Sequence, residues 1–110
     1  VFQYFDNYQY AKSLILKMLS VLNSKGYICI LDVPDNKKKK KYYEKIKKLL
    51  GTKKFEKKYR KYKHTFYNKS FFKNLAKENN LQIKIFNHKY KYNENSKYRY
   101  NVIFKKNLIN

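Results

Sequence analysis

With 110 residues, a formal net charge of +21, 43% hydrophobic and 19% aromatic residues, the chain is limited to one domain; a chain of this length buries roughly two-thirds of the surface it exposes when unfolded. One cysteine, Cys29, excludes an intrachain disulfide, and no apolar run is long enough to cross a membrane as a helix. The charge invites a nucleic-acid partner, because lysines that neutralise phosphates release counterions. Yet Lys, Asn, Tyr, Ile and Phe are all abundant while Gly numbers 2 and Pro 1, the composition of an AT-rich genome in which lysine is the default exposed residue.

The chain opens in mid-element. Val1-Phe2-Gln3-Tyr4-Phe5 reads as the exit of a strand whose body lies further upstream, so we expect part of a longer protein. Asp6 then stands as an N-cap with Gln9 three residues later, the spacing of a capping box. Ala11, Leu14, Ile15, Met18, Leu19 and Leu22 follow at three- and four-residue steps, which predicts a helix over about 7–23 with one core-facing stripe.

Gly26 is expected to take the left-handed conformation that ends a helix. From Tyr27 to Val33, six residues in seven are apolar. A run with no polar face predicts a central strand of a parallel sheet, covered on both sides. Pro34 stops it, since proline cannot donate to a ladder. Ligands of open α/β sheets sit at the carboxyl ends of strands, so Asp32, Pro34 and Asp35 are site-adjacent by position. Cys29 reads as core filling within this strand.

Residues 36–50 carry Lys37 to Lys41 and then Tyr42, Ile46, Leu49 and Leu50 on one helical face, with Gly51 as the stop. Five lysines at the start of that helix oppose its dipole, so its first turn should fray. Over 52–63, Phe55, Tyr59 and Tyr62 are interleaved with Lys. The pattern fits an amphipathic covering helix, which we prefer, or a mobile basic-aromatic lid able to stack single-stranded bases. Arg60 and Arg99 are the only arginines. For Arg60, a fork for carboxylate or phosphate and a plain surface charge both stand; Arg99 reads as a strand-surface charge. The two histidines, His64 and His88, with one cysteine, form no metal-ligand spacing, so no metal site is expected. His88 reads as a turn residue, and His64 as an acid/base or substrate contact.

Asn68 caps a further helix carrying Phe71, Phe72, Leu75 and Ala76, and Asn79-Asn80 stop it. The alternation of Leu81, Ile83 and Ile85 with Gln82 and Lys84 predicts a half-buried strand near a sheet edge. After a polar loop over 87–95, residues 96–105 alternate again, with Tyr98, Tyr100, Val102 and Phe104 on one side. These last two strands are close enough in sequence to pair antiparallel.

This order of elements resembles the C-terminal half of a class I S-adenosylmethionine-dependent methyltransferase. The resemblance is carried by Val1 to Phe5 after a fourth strand, by Val21-Leu22-Asn23-Ser24-Lys25-Gly26 before a fifth, by Tyr27 to Asp32 as that fifth strand, and by Tyr98-Arg99-Tyr100-Asn101-Val102-Ile103-Phe104 as the closing antiparallel strand. It implies an α/β fold: a partial Rossmann-like methyltransferase sheet, mostly parallel with an antiparallel last strand, whose N-terminal half is missing. Residues 1–110 would be the C-terminal part of that domain, with 36–67 a basic Lys/Tyr-rich insert covering the substrate side. The implied activity is methyl transfer from S-adenosylmethionine to a small-molecule or sugar-type acceptor.

Phe2, Gln3 and Tyr4 match the segment that lines the cofactor's methyl end, and Asp32, Arg60, His64 and Tyr67 take the substrate side by position. The glycine-rich cofactor loop would lie upstream, so the chain is expected to hold no complete cofactor site and to need the N-terminal half of the domain as its partner. A base for a hydroxyl acceptor would be His64 or Asp32. The expected strand order places the last strand between the Tyr27 strand and the Leu81 strand. A half domain should also leave the edge and face of the Tyr27 strand exposed and self-associate. The expected location is the cytoplasm. The competing readings are a small basic nucleic-acid-binding module and a doubly wound domain of another class, such as part of a sugar-modifying transferase.

Overall fold

The fold is that of a computed structural model, which describes residues 2–61, 64–87 and 96–107. His88 and the loop over 88–95 lie outside the described residues, as do Val1, Tyr62 and Lys63.

A single 3-10 turn, Phe2–Tyr4, leads into helix α1, Tyr8–Val21. The N-cap is Asn7, one residue later than the capping-box spacing predicts; its side chain accepts the Tyr10 N–H at 2.8 Å. Ala11, Ile15 and Leu19 are buried along the expected stripe, with Leu14, Met18 and Leu22 half-buried beside them. The helix ends when Leu22 turns extended, and Gly26 N–H closes the turn onto the Asn23 carbonyl at 3.0 Å. Gly26 is not left-handed. A Cβ there would stand 2.4 Å from Leu22 Cδ1, so that side chain would have to shift to admit one.

Strand β1, Tyr27–Pro34, pairs antiparallel with β3, Arg99–Lys106, and β3 pairs antiparallel with β2, Leu81–Asn87. The order β1-β3-β2 is the one expected, but the sheet class is not. A mostly parallel Rossmann-like sheet was expected; all pairing here is antiparallel. The two strands that run the same way, β1 and β2, never meet, because β3 lies between them. Nor is β1 central. It forms one edge of the three strands, and only one of its faces is covered: Ile28, Ile30 and Val33 are buried, whereas Tyr27 is 58% and Leu31 60% exposed. Cys29 is exposed as well, not core. An apolar run signals that a strand avoids water but not where its second cover comes from.

The covered face meets α1 and α4 (Lys69–Glu78), and Ile15, Phe72, Leu75, Tyr100, Val102 and Phe104 form the centre of that core. Asn68 occupies the N-cap position of α4 with its carbonyl accepting the Phe71 N–H at 3.0 Å; its side chain does not cap the helix, and its Oδ1 instead accepts Asn36 Nδ2 at 3.2 Å.

Between β1 and α4 the chain builds a helical hairpin. The Asp35 carboxylate accepts the Lys37 N–H at 3.1 Å and caps a 3-10 turn, Asn36–Lys38, before α2 (Lys39–Leu50) begins. The lysine-rich start therefore enters as one 3-10 turn held by an acid. Gly51, at φ +81°, ends α2 where a side chain would be strained, and α3 (Thr52–Lys61) follows at once. Phe55 and Tyr59 of α3 pack on Tyr42, Tyr43 and Ile46 of α2, and Phe66 and Tyr98 complete this second, mostly aromatic cluster. The hairpin is thus the covering segment preferred from sequence, with its rings inside and its lysines outside.

Candidate ligand cleft at the carboxyl end of the first strand

Where β1 ends, the backbone of residues 64–68 is laced to two other segments. Tyr67 N–H donates to the Pro34 carbonyl at 2.8 Å and Asn36 N–H to the Tyr67 carbonyl at 3.1 Å, a short parallel bridge opposite Asp35. Thr65 N–H donates to the Gln3 carbonyl at 2.8 Å, and the Thr65 hydroxyl to the Phe5 carbonyl. Tyr8 Oη donates to the Phe66 carbonyl at 2.5 Å. These bonds frame an open cleft of about 340 Å3 whose walls include Asp6, Asn7, Asn36, Lys39, His64 and Thr65.

Of the seven residues that the sequence marks for a site, His64 lines the cleft, and Phe2, Gln3, Tyr4 and Tyr67 lie in the segments bonded around it. Phe2 and Gln3 are buried. The Phe2 ring lies 4.7 Å from Phe5, 5.8 Å from Tyr67 and 6.3 Å from Phe72 between ring centroids. Tyr4 is 63% exposed and meets His64 edge-on at 5.5 Å. Tyr67 is fully buried; its hydroxyl donates to the Phe2 carbonyl at 2.9 Å, and its own carbonyl accepts the Tyr100 hydroxyl at 2.9 Å. Burial raises the Tyr67 phenol above its ordinary pKa, with Tyr8 nearby adding to the shift. The Tyr100 phenol is raised by burial first and by the Asp35 carboxylate second. Both rings stay neutral and act as struts.

His64 is the residue of the five expected to serve as acid/base or substrate contact. It lines the cleft and also a gap between Pro34, Tyr42, Phe66, Tyr98 and Arg99 that is too tight to admit water. Its second ring neighbour is Tyr59, edge-on at 5.7 Å. Its Nδ1 is buried and meets no hydrogen-bond partner among the described residues. Burial lowers its pKa, and the nearby Arg99 and Lys58 cations lower it further. The unmatched nitrogen is the buried one, so any contact with a ligand in the cleft falls to the rest of the ring.

The other two expected residues stand apart. Asp32 occupies a β-bulge, with φ +57°, where the register shifts between Ile30 and Val33. Its N–H donates to Asn101 Oδ1 at 3.0 Å, and its carbonyl accepts Arg99 Nη1 at 3.4 Å. Arg60 is exposed on α3 and has no bond to the cleft among the described residues. The residues that line the cleft and were missed are Asp6, Asn7, Tyr8, Asn36, Lys39, Thr65 and Phe66. The signal for Asn36 was available, since it follows Asp35 at the strand exit; the others arrive from segments distant in sequence.

Against S-adenosylmethionine the fit is poor. Phe2 and Gln3 are buried, so of the three expected cofactor residues only Tyr4 presents a side chain to a ligand. Among the described residues, no group of three or more His, Cys, Asp or Glu could hold a metal ion. None of the described helices is long and apolar enough to cross a membrane. Comparison with protein-family models, with curated proteins and with solved structures finds no match to the chain.

Proposed function

We propose that the chain is the acceptor-side part of an S-adenosylmethionine-dependent methyltransferase that acts on a small-molecule or sugar-type acceptor in the cytoplasm. The observation that carries this reading is the insertion of β3, antiparallel, between two strands that run the same way. That order is the one the resemblance implied for the closing strand. The polar cleft at the carboxyl end of β1 supplies Asp6, Asn36, Lys39 and His64 around one opening, a mixture of donors and acceptors suited to a hydroxyl-bearing acceptor. Methyl transfer by direct displacement needs alignment of the reacting atoms more than a strong acid or base. A cleft with one neutral imidazole and no catalytic dyad suits that demand.

The cofactor pocket belongs to the partner that completes the domain, its N-terminal half. Tyr27, Cys29 and Leu31 form an open face of β1 whose apolar surface a covering partner would bury. The nucleic-acid reading loses its stacking platform, because Phe55, Tyr59 and Phe66 are packed into the second cluster.

The test is calorimetric titration of S-adenosylmethionine into the gene product that carries residues 1–110, beside the 110-residue chain alone. We expect binding by the first and none by the second. No binding by either removes the methyltransferase reading.

A further inference from the structure

Helices α1 and α4 cover one side of the sheet, where Ile28, Ile30, Val102 and Phe104 join the core. The pairing register sets the intervening residues on the other side. Across the three strands, Tyr27 stands beside Lys105 and Gln82, and Cys29 beside Ile103 and Lys84. Leu31 continues the outward row of β1, and Phe86 that of β2. Among the described residues these side chains join neither core cluster. Tyr27, Cys29 and Leu31 are exposed, and Ile103 and Phe86 are half-buried. Exposed apolar residues scattered singly need no explanation, but a contiguous strip of them marks an interaction surface.

The strip has a charged side. Lys105 Nζ lies 5.3 Å from the Tyr27 ring centroid, and the exposed Lys84 stands next to Ile103 on the β2 side. Neither β2 nor β3 contains an acid. The one acid of β1, Asp32, sits in the bulge towards the far end, where Arg99 Nη1 donates to its carbonyl at 3.4 Å. The face is therefore apolar along β1 and the middle of β3, and cationic towards β2. Its dimensions are those of one helix. The 8 residues of β1 extend roughly 26 Å at about 3.3 Å each, which a helix spans in about 17 residues at 1.5 Å per residue.

We propose that the uncovered face of the sheet docks an amphipathic helix with an acidic flank. Its apolar stripe would lie along Tyr27, Cys29, Leu31 and Ile103, and its carboxylates would meet Lys84 and Lys105. A second copy of the chain is a poorer occupant, because it sets Lys84 and Lys105 against the same cations of its neighbour. A bilayer surface is poorer too. Interfacial binding sinks apolar groups about 5–10 Å into the lipid, whereas these lie on the flat of a sheet with Ile103 and Phe86 already half-buried. The inference stands on this face alone and does not depend on the methyl-transfer reading.

The probe is a labelled synthetic peptide of about 18 residues, with leucines at i, i+3, i+4 and i+7 and with alanine and glutamate elsewhere. Two controls accompany it: the same residues with the leucines shuffled, and the same stripe with lysine in place of glutamate. Fluorescence anisotropy with the 110-residue chain should show the acidic amphipathic peptide binding at least about tenfold more tightly than either control. In sedimentation, excess peptide should displace any self-association through this face. Lys84→Glu/Lys105→Glu should weaken binding of the acidic peptide at least about tenfold and strengthen that of the lysine peptide. Lys17→Glu/Lys73→Glu, with the same change in charge at exposed positions on α1 and α4, should keep the parent's preference. Circular-dichroism melts verify that both variants fold. Equal binding of the shuffled peptide, or equal weakening by the two variants, would reduce the effect to net charge and overturn the proposal. So would co-sedimentation with phosphatidylserine vesicles, or a dimer abolished by Leu31→Lys, if no peptide binds.

Discussion

The Tyr67 hydroxyl donates to the Phe2 carbonyl at 2.9 Å, joining two residues 65 positions apart. With Thr65 N–H on the Gln3 carbonyl, it anchors the first turn of the chain to the segment before α4. That anchorage makes the cleft at β1 a fixed surface instead of a meeting of loose ends.

Tyr67→Phe should therefore destabilise the chain. The ring stays and the Phe2 carbonyl keeps the Phe5 N–H, so the loss is that of one hydrogen bond, about 0.5–1.5 kcal/mol. Urea unfolding should show a lower midpoint with an unchanged slope. An unaltered midpoint means that the bond contributes nothing.

Gly26→Ala tests the close approach at the turn. A methyl 2.4 Å from Leu22 Cδ1 and 2.9 Å from its Cγ forces that side chain to shift, at a cost of about 1–3 kcal/mol. The same substitution in a Leu22→Ala background should cost clearly less, because the atoms in the way are gone. Equal losses in both backgrounds would place the strain in the backbone instead.

The open face of β1 predicts self-association of the isolated chain. Tyr27, Cys29 and Leu31 present apolar surface beside a strand edge that has no partner among the described residues. Sedimentation velocity should reveal oligomers that dissociate on Leu31→Lys. A monodisperse parent protein contradicts this account of the edge.

His64 should make stability depend on pH in a defined direction. Its native pKa lies below its ordinary value, because burial, Arg99 and Lys58 disfavour the charged ring. The unfolded chain therefore takes up the proton first as pH falls. The contribution is complete above the unfolded value, about 6.5, and is lost as pH falls through the lower native value. Among the described residues the ring faces Tyr4, Tyr59 and Phe66, and Arg99 and Lys58 are the charges that shift it, with Asp6 across the cleft. Thermal melts of His64→Gln should be flatter than those of the parent between about pH 7 and pH 5. Parallel curves would show that the imidazole is not held neutral.

The element order was legible in the residues themselves. The stripe from Ala11 to Leu22, the run from Tyr27 to Pro34 and the alternation around Ile83 and Val102 each report one local period, and periodicity needs no partner to be read. The inward turn of Phe55 and Tyr59 was likewise visible as spacing along a helix. Several of the site residues were found by a positional rule, that ligands gather where strands end. What the spacing could not carry was direction and cover. Whether β1 pairs parallel or antiparallel, and whether Tyr27, Cys29 and Leu31 meet protein or water, depends on which strand arrives beside it. That strand, β3, comes from about 70 residues further along, as the Ile28↔Phe104 and Ile30↔Val102 pairs show. The cleft has the same origin. Asp6, Asn36 and His64 share no local pattern, and only the hydrogen bonds from Thr65 and Tyr67 to the chain's first turn and to Pro34 bring them around one opening.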